Sequence, residues 1–230
     1  MGGFIERPAS VGALMKRKLV YGVGINDASY VIKYKVKEGK WMSCPYYERW
    51  RKMLERCYSS KYHARQPTYT ACSVHEDWHT FSTFKTWMVV QDWEGKHLDK
   101  DLLVEGNKTY SKDTCLFVSR GLNNLFLSKP SLRGEYPLGV TFDVAAGMYR
   151  ARCNSSTKSK YLGYFRSVSQ AEAAYCEYKA SVILSYAEGG EGDSHPLLRP
   201  ALLHKAQVFS DKAANLLNLQ TIKKPHTTIK

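Results

Sequence analysis

The stretch LGVTFDVAAGMYRARCNSSTKSKYLGYFRSVSQAEAAYCEYKASVILSYA, residues 138–187, decides the architecture of the C-terminal half. Three short strands are expected over Leu138–Phe142, Met148–Cys153 and Lys160–Phe165, with turns at Ala146–Gly147 and Asn154–Ser159. A long helix is expected over Ser169–Ala187, with Ser169 as its cap and Glu172 three residues on, as in a capping box. Ala171, Ala174, Tyr175, Tyr178 and Val182 suit its packing on a small sheet. Side chains alternate along a strand, so Tyr149, Ala151 and Cys153 are expected to face the helix and Arg150 and Arg152 the open side. No acid occurs between Asp143 and Glu172, whereas Arg150, Arg152, Lys158, Lys160 and Arg166 all fall there. Guanidinium groups on an open sheet can reach phosphate oxygens and guanine edges, although a solvated strand face also carries Arg and Lys.

Beyond this unit, the 230-residue chain has 34 Lys plus Arg against 21 Asp plus Glu, a formal charge of +13. That surplus points to a polyanionic partner, nucleic acid ahead of a membrane surface. A hydrophobic content of 43% is enough for real cores and excludes a globally disordered chain. No apolar run approaches the roughly 18 residues of a membrane helix, and the first residues lack the pattern of a secretory signal, so a soluble cytoplasmic protein with no membrane partner is expected. Six widely spaced cysteines without a CxxC pair suggest reduced thiols. Cys72, His75 and His79 could share one side of a helix, with Cys57 and His63 shortly before. A zinc site ordinarily shows a tight cysteine pair, so a buried cysteine beside surface histidines is preferred and structural zinc is not expected.

In the N-terminal half, residues 1–20 read as an irregular basic arm with Arg7, Lys16, Arg17 and Lys18, followed by a short hairpin around Tyr21–Lys37. A helix after Pro45 repeats Tyr47, Trp50, Leu54 and Cys57 at helical spacing, with Arg49, Arg51, Lys52 and Arg56 between them. A second helix over His75–Val89 gathers Trp78, Phe81, Phe84, Trp87 and Met88 on a core face. Lys96–Val104 reads as a strand, Glu105–Asp113 as a turn-rich loop, Cys115–Ser119 as a strand and Gly121–Leu127 as a helix, which together make a ββα unit. A linker follows at Ser128–Pro137. A last helix is expected near Leu197–Leu219, ending in a basic tail.

Two resemblances attach to these segments. Gly139–Val140, Tyr149–Arg150–Ala151, Leu162–Gly163 with Phe165, and Ala171–Ala174–Tyr175 resemble the hallmarks of the ethylene-response-factor (APETALA-type) DNA-binding domain over about 50 residues. That resemblance implies a three-stranded sheet read into the major groove, with DNA-contacting arginines at Arg150 and Arg152. A tryptophan common in that family is Tyr161 here. The stretch LDKDLLVEGNKTYSKDTCLFVSRGLNNLF, residues 98–126, is similar to the ββα metal nuclease of phage HNH-type homing endonucleases, at Asp99, Gly106–Asn107–Lys108, Phe117–Val118 and Asn123–Asn124. The position of the general-base histidine is Lys100, and that of the loop asparagine is Asp113, so the motif is degenerate.

Phosphodiester hydrolysis needs a divalent metal to stabilise charge and a base to activate water. Two carboxylates two residues apart on a strand share a face, so Asp99 and Asp101 could hold Mg²⁺ or another divalent cation. His97 falls on that face as a displaced base, and Asn123 or Asn124 could complete the shell from the helix. The competing reading is an exposed LDKD strand with ordinary salt bridges, left after a nuclease lost its base.

The expectation is therefore an α+β chain: an HNH-like ββα module with accessory helices, then a three-stranded antiparallel sheet backed by one helix. Its domains would be an arm and hairpin at 1–40, the helical and HNH-like part at 41–128, a DNA-binding domain at 129–188, and a linker, helix and tail at 189–230. The expected function is sequence-selective binding of double-stranded DNA with metal-dependent cleavage or nicking, in the cytoplasm of an infected bacterial host if phage-encoded. The alternative is a catalytically inactive regulator, or a factor that acts on a host protein.

Overall fold

A computed structural model describes residues 3–36, 39–126, 134–155, 158–189 and 196–222. In chain order the elements are α1 (Val11–Met15), β1 (Lys33–Lys35), β2 (Trp41–Ser43), α2 (Pro45–Tyr58), α3 (Ser60–Arg65), β3 (Ser73–Val74), α4 (Phe81–Val89), β4 (His97–Asp99), β5 (Thr109–Tyr110) and β6 (Leu116–Val118). They continue with α5 (Arg120–Phe126), β7 (Val140–Asp143), β8 (Met148–Ser155), β9 (Lys158–Phe165), α6 (Val168–Ala187) and α7 (Leu198–Ile222). The fold is α+β, and its chain divides into two compact units, Met1–Phe117 and Val118–Lys230. No described helix is long and apolar enough to cross a membrane.

The first unit is built on α2. Pro45 opens it, where a fixed φ suits the first turn and a missing N–H leaves nothing unpaired. The helix buries Tyr47, Trp50, Met53, Leu54 and Cys57, the face its sequence spacing predicts. These pack on Trp78, Phe81, Phe84 and Met88, and the Trp50 indole N–H donates to the Trp78 carbonyl at 2.7 Å.

The helix expected over His75–Val89 is broken. A 3₁₀ turn covers Glu76–His79, Thr80 is extended, and α4 begins only at Phe81. The cause is tertiary: Ile25 N–H donates to the His79 carbonyl at 2.8 Å, Phe81 N–H donates to the Ile25 carbonyl at 3.0 Å, and Asp27 accepts from Ser82 N–H at 2.9 Å. An incoming strand-like segment thus takes backbone groups that a continuous helix would have used. Cys72, His75 and His79 consequently do not share one helical side. His79 bonds the Tyr58 hydroxyl at 3.3 Å, and His63 bonds the Arg56 carbonyl at 2.9 Å. All six cysteines are buried and free.

The basic arm is docked rather than irregular. Ser10 caps α1, and the Arg17 guanidinium donates to the carbonyls of Asn26, Ala28 and Tyr30. The hairpin lies later than its expected place at Tyr21–Lys37, with β1 and β2 pairing Lys33 with Ser43, Tyr34 with Met42 and Lys35 with Trp41. Further along, β3 pairs in parallel with β5, and β4 pairs with β6.

In the second unit β7, β8 and β9 form a three-stranded antiparallel sheet backed by α6. All three strands overlap their expected places, but β7 begins two residues later, and β8 and β9 run on to Ser155 and back to Lys158, pairing residues expected to form the turn. The cap of α6 is Ser167, whose hydroxyl accepts from Gln170 N–H at 3.2 Å, and not Ser169. Glu172 is instead drawn to Lys212 of α7 at 2.6 Å, so the expected capping box gives way to a helix–helix ion pair. Helix α7 runs on to Ile222 and buries Leu198, Leu202, Ala206 and Ala213.

The helix expected to close the ββα unit, α5, groups with this second unit rather than with residues 41–117. It buries Leu122 and Leu125, and the buried Lys179 ammonium of α6 donates to the Leu125 carbonyl. The last residue of the expected helix Gly121–Leu127, residues 128–133 of the expected linker, residues 190–195 and most of the basic tail lie outside the described residues.

Candidate nucleic-acid interface

The open side of the β7–β8–β9 sheet is organised by one irregularity. Ala151 pairs with Gly163 but Arg152 pairs with Tyr161, so Leu162 is an extra residue on β9. Gly163 takes φ +128°, a conformation that favours glycine. In a regular strand Tyr161 and Tyr164, three residues apart, would face opposite ways. The bulge inverts the phase between them, so that Tyr161 lies across from Arg152 and Tyr164 across from Arg150. Both tyrosines are exposed and their rings meet edge to face at 5.8 Å. Leu162 turns inward to join the core with Cys153 and Ala151.

The expected division of β8 holds: Ala151 and Cys153 are buried, and Arg152 is exposed. Arg150 is only partly exposed and is engaged on its own sheet. Its Nε donates to the Thr141 hydroxyl at 3.4 Å, and its guanidinium lies 3.9 Å from the Asp143 carboxylate. Asp143 also accepts from the Tyr164 hydroxyl at 2.7 Å and from Ala146 N–H at 3.1 Å. These bonds, the Tyr164 one foremost, hold its carboxyl below the usual range, while the same bond raises the Tyr164 phenol. Arg152 is therefore the more available cation, and Arg150 is pre-aimed by Asp143 and Thr141.

The remaining expected contacts differ in placement. Lys160 is exposed, but it lies across from Cys153, on the side of the sheet that α6 covers. Lys158 takes the first position of β9 opposite Ser155, and its side chain lies outside the described residues. Arg166 follows β9 and is exposed. Tyr164 and Thr141 enter the open face without having been expected there. The signal that points to Tyr164 is Gly163, since a glycine within a strand pattern marks a bulge, whereas Thr141 follows from its pairing with Arg150.

The acidic segment of the first unit is arranged differently from its expectation. Strand β4 ends at Asp99 instead of running to Val104, so alternation no longer places Asp101 on the face of Asp99. Asp99 Oδ1 accepts from the N–H groups of Asp101 at 3.0 Å and Leu102 at 2.7 Å, folding the chain into a turn. Lys100 is buried. Its ammonium donates to the Asn107 carbonyl at 3.0 Å and to Asp101 at 3.2 Å. Asn107 fastens the same loop, donating to the carbonyls of Lys100 at 2.6 Å and Thr109 at 2.7 Å, and accepting from Thr109 N–H at 3.1 Å. Lys100 and Asn107 thus hold the loop together. His97 precedes Asp99 by two and shares its side of β4, half-buried. Asp113 is exposed on the loop.

Among the described residues, no three His, Cys, Asp or Glu side chains converge as a metal group would require. A cation here would rest on Asp99 Oδ2 and Asp101, with its other ligands from water or a phosphate, a mode that Mg²⁺ accepts. Asn123 and Asn124 belong to α5 in the second unit.

Burial, and then the charge of Asp101, push the Asp99 carboxyl up to about 6. The folded chain therefore holds this proton more tightly than the unfolded one, and stability falls as pH rises from about 4 to about 6, then levels off. Asp99→Asn keeps the acceptor for the two amides and removes the buried charge. It is expected to unfold at higher urea than the parent at pH 7, by on the order of 2 kcal/mol, with the gap closing by about pH 4. Equal midpoints at pH 7 would show that the carboxyl titrates normally.

Compared with protein-family models, with curated proteins and with solved structures, the chain matches none of them.

Proposed function

We propose that this chain is a sequence-selective double-stranded DNA-binding protein whose reader is the open face of the β7–β8–β9 sheet. The observation that carries this reading is the pairing of Arg150 with Tyr164 and of Arg152 with Tyr161 on one face, with the opposite face buried under α6. Arginine supplies bidentate donors for phosphates and guanine edges, and tyrosine adds a flat apolar surface with a hydroxyl donor. Only Asp143 brings negative charge into the described part of this face, and its bonds turn it to positioning Arg150 and Tyr164. Selecting duplexes from a random library should recover a common sequence, and recovery of unrelated sequences sinks the selectivity.

A second reading, a metal-dependent HNH-like endonuclease or nickase of phage type, is favoured by one observation. Asp99 Oδ1 accepts from the Asp101 N–H at 3.0 Å, which brings the two acids together on one turn, and neighbouring carboxylates of that kind suit a divalent cation shared with a phosphate. The rival is a catalytically silent regulator, or a factor directed at a host protein. On supercoiled plasmid carrying a selected site, the nuclease reading expects relaxation that needs Mg²⁺, stops with chelator and falls at least about 100-fold in Asp99→Ala. Binding without relaxation selects the silent protein.

A further inference from the structure

The β1–β2 hairpin of the first unit carries a second aromatic and basic face, which the sheet reader does not use. Its register sets Lys33, Lys35, Trp41 and Ser43 on one side and Tyr34 and Met42 on the other. The inner side is anchored. The Tyr34 hydroxyl accepts from Ile5 N–H at 3.0 Å, its ring meets Phe4 at 5.4 Å, and the Arg7 guanidinium lies 3.9 Å from the ring centroid. The outer side is led by Trp41, 58% exposed, with the ammonium groups of Lys33 and Lys35 at 5.0 and 5.4 Å from its ring.

This exposure sets Trp41 apart from the other tryptophans. Trp50 and Trp78 are buried, and Trp87 and Trp93 pack against the core. Lysines on a short two-stranded ribbon would by themselves be explained as protection against edge pairing. Cross-strand packing of Lys35 on the indole adds a cation–π contact, yet the ring stays largely in water, which a lysine or threonine there would not require. A flat π surface flanked by cations is suited to an unpaired base with its phosphates. The base stacks on the ring, and the two lysines, about 7 Å apart along the strand, can each meet a phosphate.

We propose that the outer face of the β1–β2 hairpin is a binding site for single-stranded nucleic acid, with Trp41 as the stacking platform and Lys33 and Lys35 as its phosphate contacts. The site belongs to the first unit and the duplex reader to the second, and either can fail without the other.

The test uses the full chain and a short oligothymidylate, followed by tryptophan emission and by anisotropy of a labelled oligomer. Addition of the oligomer should quench emission saturably. Trp41→Ala should weaken binding about 5- to 30-fold, whereas Trp41→Phe, which keeps an aromatic ring, should bind within about threefold of the parent while losing the quench. Lys33→Ala with Lys35→Ala should lower the salt slope by about one. Arg152→Ala on the sheet should leave the quench in place. The proposal is overturned if Trp41→Ala binds the oligomer like the parent or if the quench survives in Trp41→Phe. It is equally overturned if a duplex of the same length binds and quenches as well, or if only vesicles rich in phosphatidylserine shift the emission. Circular dichroism of Trp41→Phe keeps the comparison on a folded chain.

Discussion

Removing both guanidinium groups, Arg150→Ala with Arg152→Ala, is expected to weaken binding to a selected duplex on the order of 100-fold and to lower the salt slope by about two. Each well-placed arginine contact is worth about 1–3 kcal/mol, and two of them at about 1.4 kcal/mol each give about 2.7 kcal/mol, which is the 100-fold loss. The two contributions should differ in kind. Arg152 is exposed beside Tyr161, so its loss should fall directly on the proposed DNA contact. Arg150 is held by Thr141 and Asp143, so its replacement should also leave the Asp143 carboxylate on the proposed interface without the Arg150 guanidinium beside it. Single variants measured across several salt concentrations separate these effects. An arginine that reads a base should relax selectivity at one position, whereas one that meets only phosphate should weaken all sequences alike. If the double variant kept both the affinity and the salt slope of the parent, the sheet would not be the interface.

The second large effect is on stability. Gly139→Ala is expected to destabilise the C-terminal unit by about 3–5 kcal/mol, seen as a large fall in the urea midpoint. Gly139 has φ +81°, and a β-carbon there would overlap both the Tyr175 ring and the Arg152 carbonyl oxygen. Its own carbonyl accepts from Arg152 N–H at 2.8 Å, so the chain entering β7 is tied to β8 at the residue whose side chain leads the open face. Neither neighbour can yield easily: one is sheet backbone and the other a buried ring. Gly147, in the β7–β8 turn, has φ +60° but open space around it, so Gly147→Ala should cost only about 1 kcal/mol. Equal costs at the two sites would mean that backbone conformation, and not the close approach to Tyr175 and β8, sets the requirement at Gly139.

Much of this molecule could be read locally. The alternation of Tyr149, Ala151 and Cys153 with Arg150 and Arg152 is a period-two pattern, and it placed β8 and its two faces correctly. The spacing of Tyr47, Trp50, Leu54 and Cys57 did the same for α2. Local patterns fail where a distant segment supplies the partner. The His75–Val89 helix breaks because Ile25 and Asp27 take its backbone groups. Strand β4 ends early for a local reason, the Asp99 carboxylate folding the amides of Asp101 and Leu102 into a turn. Helix α5 follows β6 directly in sequence, yet its buried residues and the Lys179 bond group it with the second unit.

By itself, the sequence determined the strands and helix of the C-terminal unit, the buried face of α2 and the excess of positive charge, because each is a property of neighbouring residues and their periodicity. The tertiary structure alone decided that Lys100 is buried as a loop fastener, that Tyr161 and Tyr164 share a face, and that Trp41 stands outward between two lysines. The two tyrosines and Trp41 depend on pairing register, and Lys100 on a loop that closes back on it through Asn107. A one-residue bulge such as that at Leu162 reverses which side chains share a face without changing the composition at all.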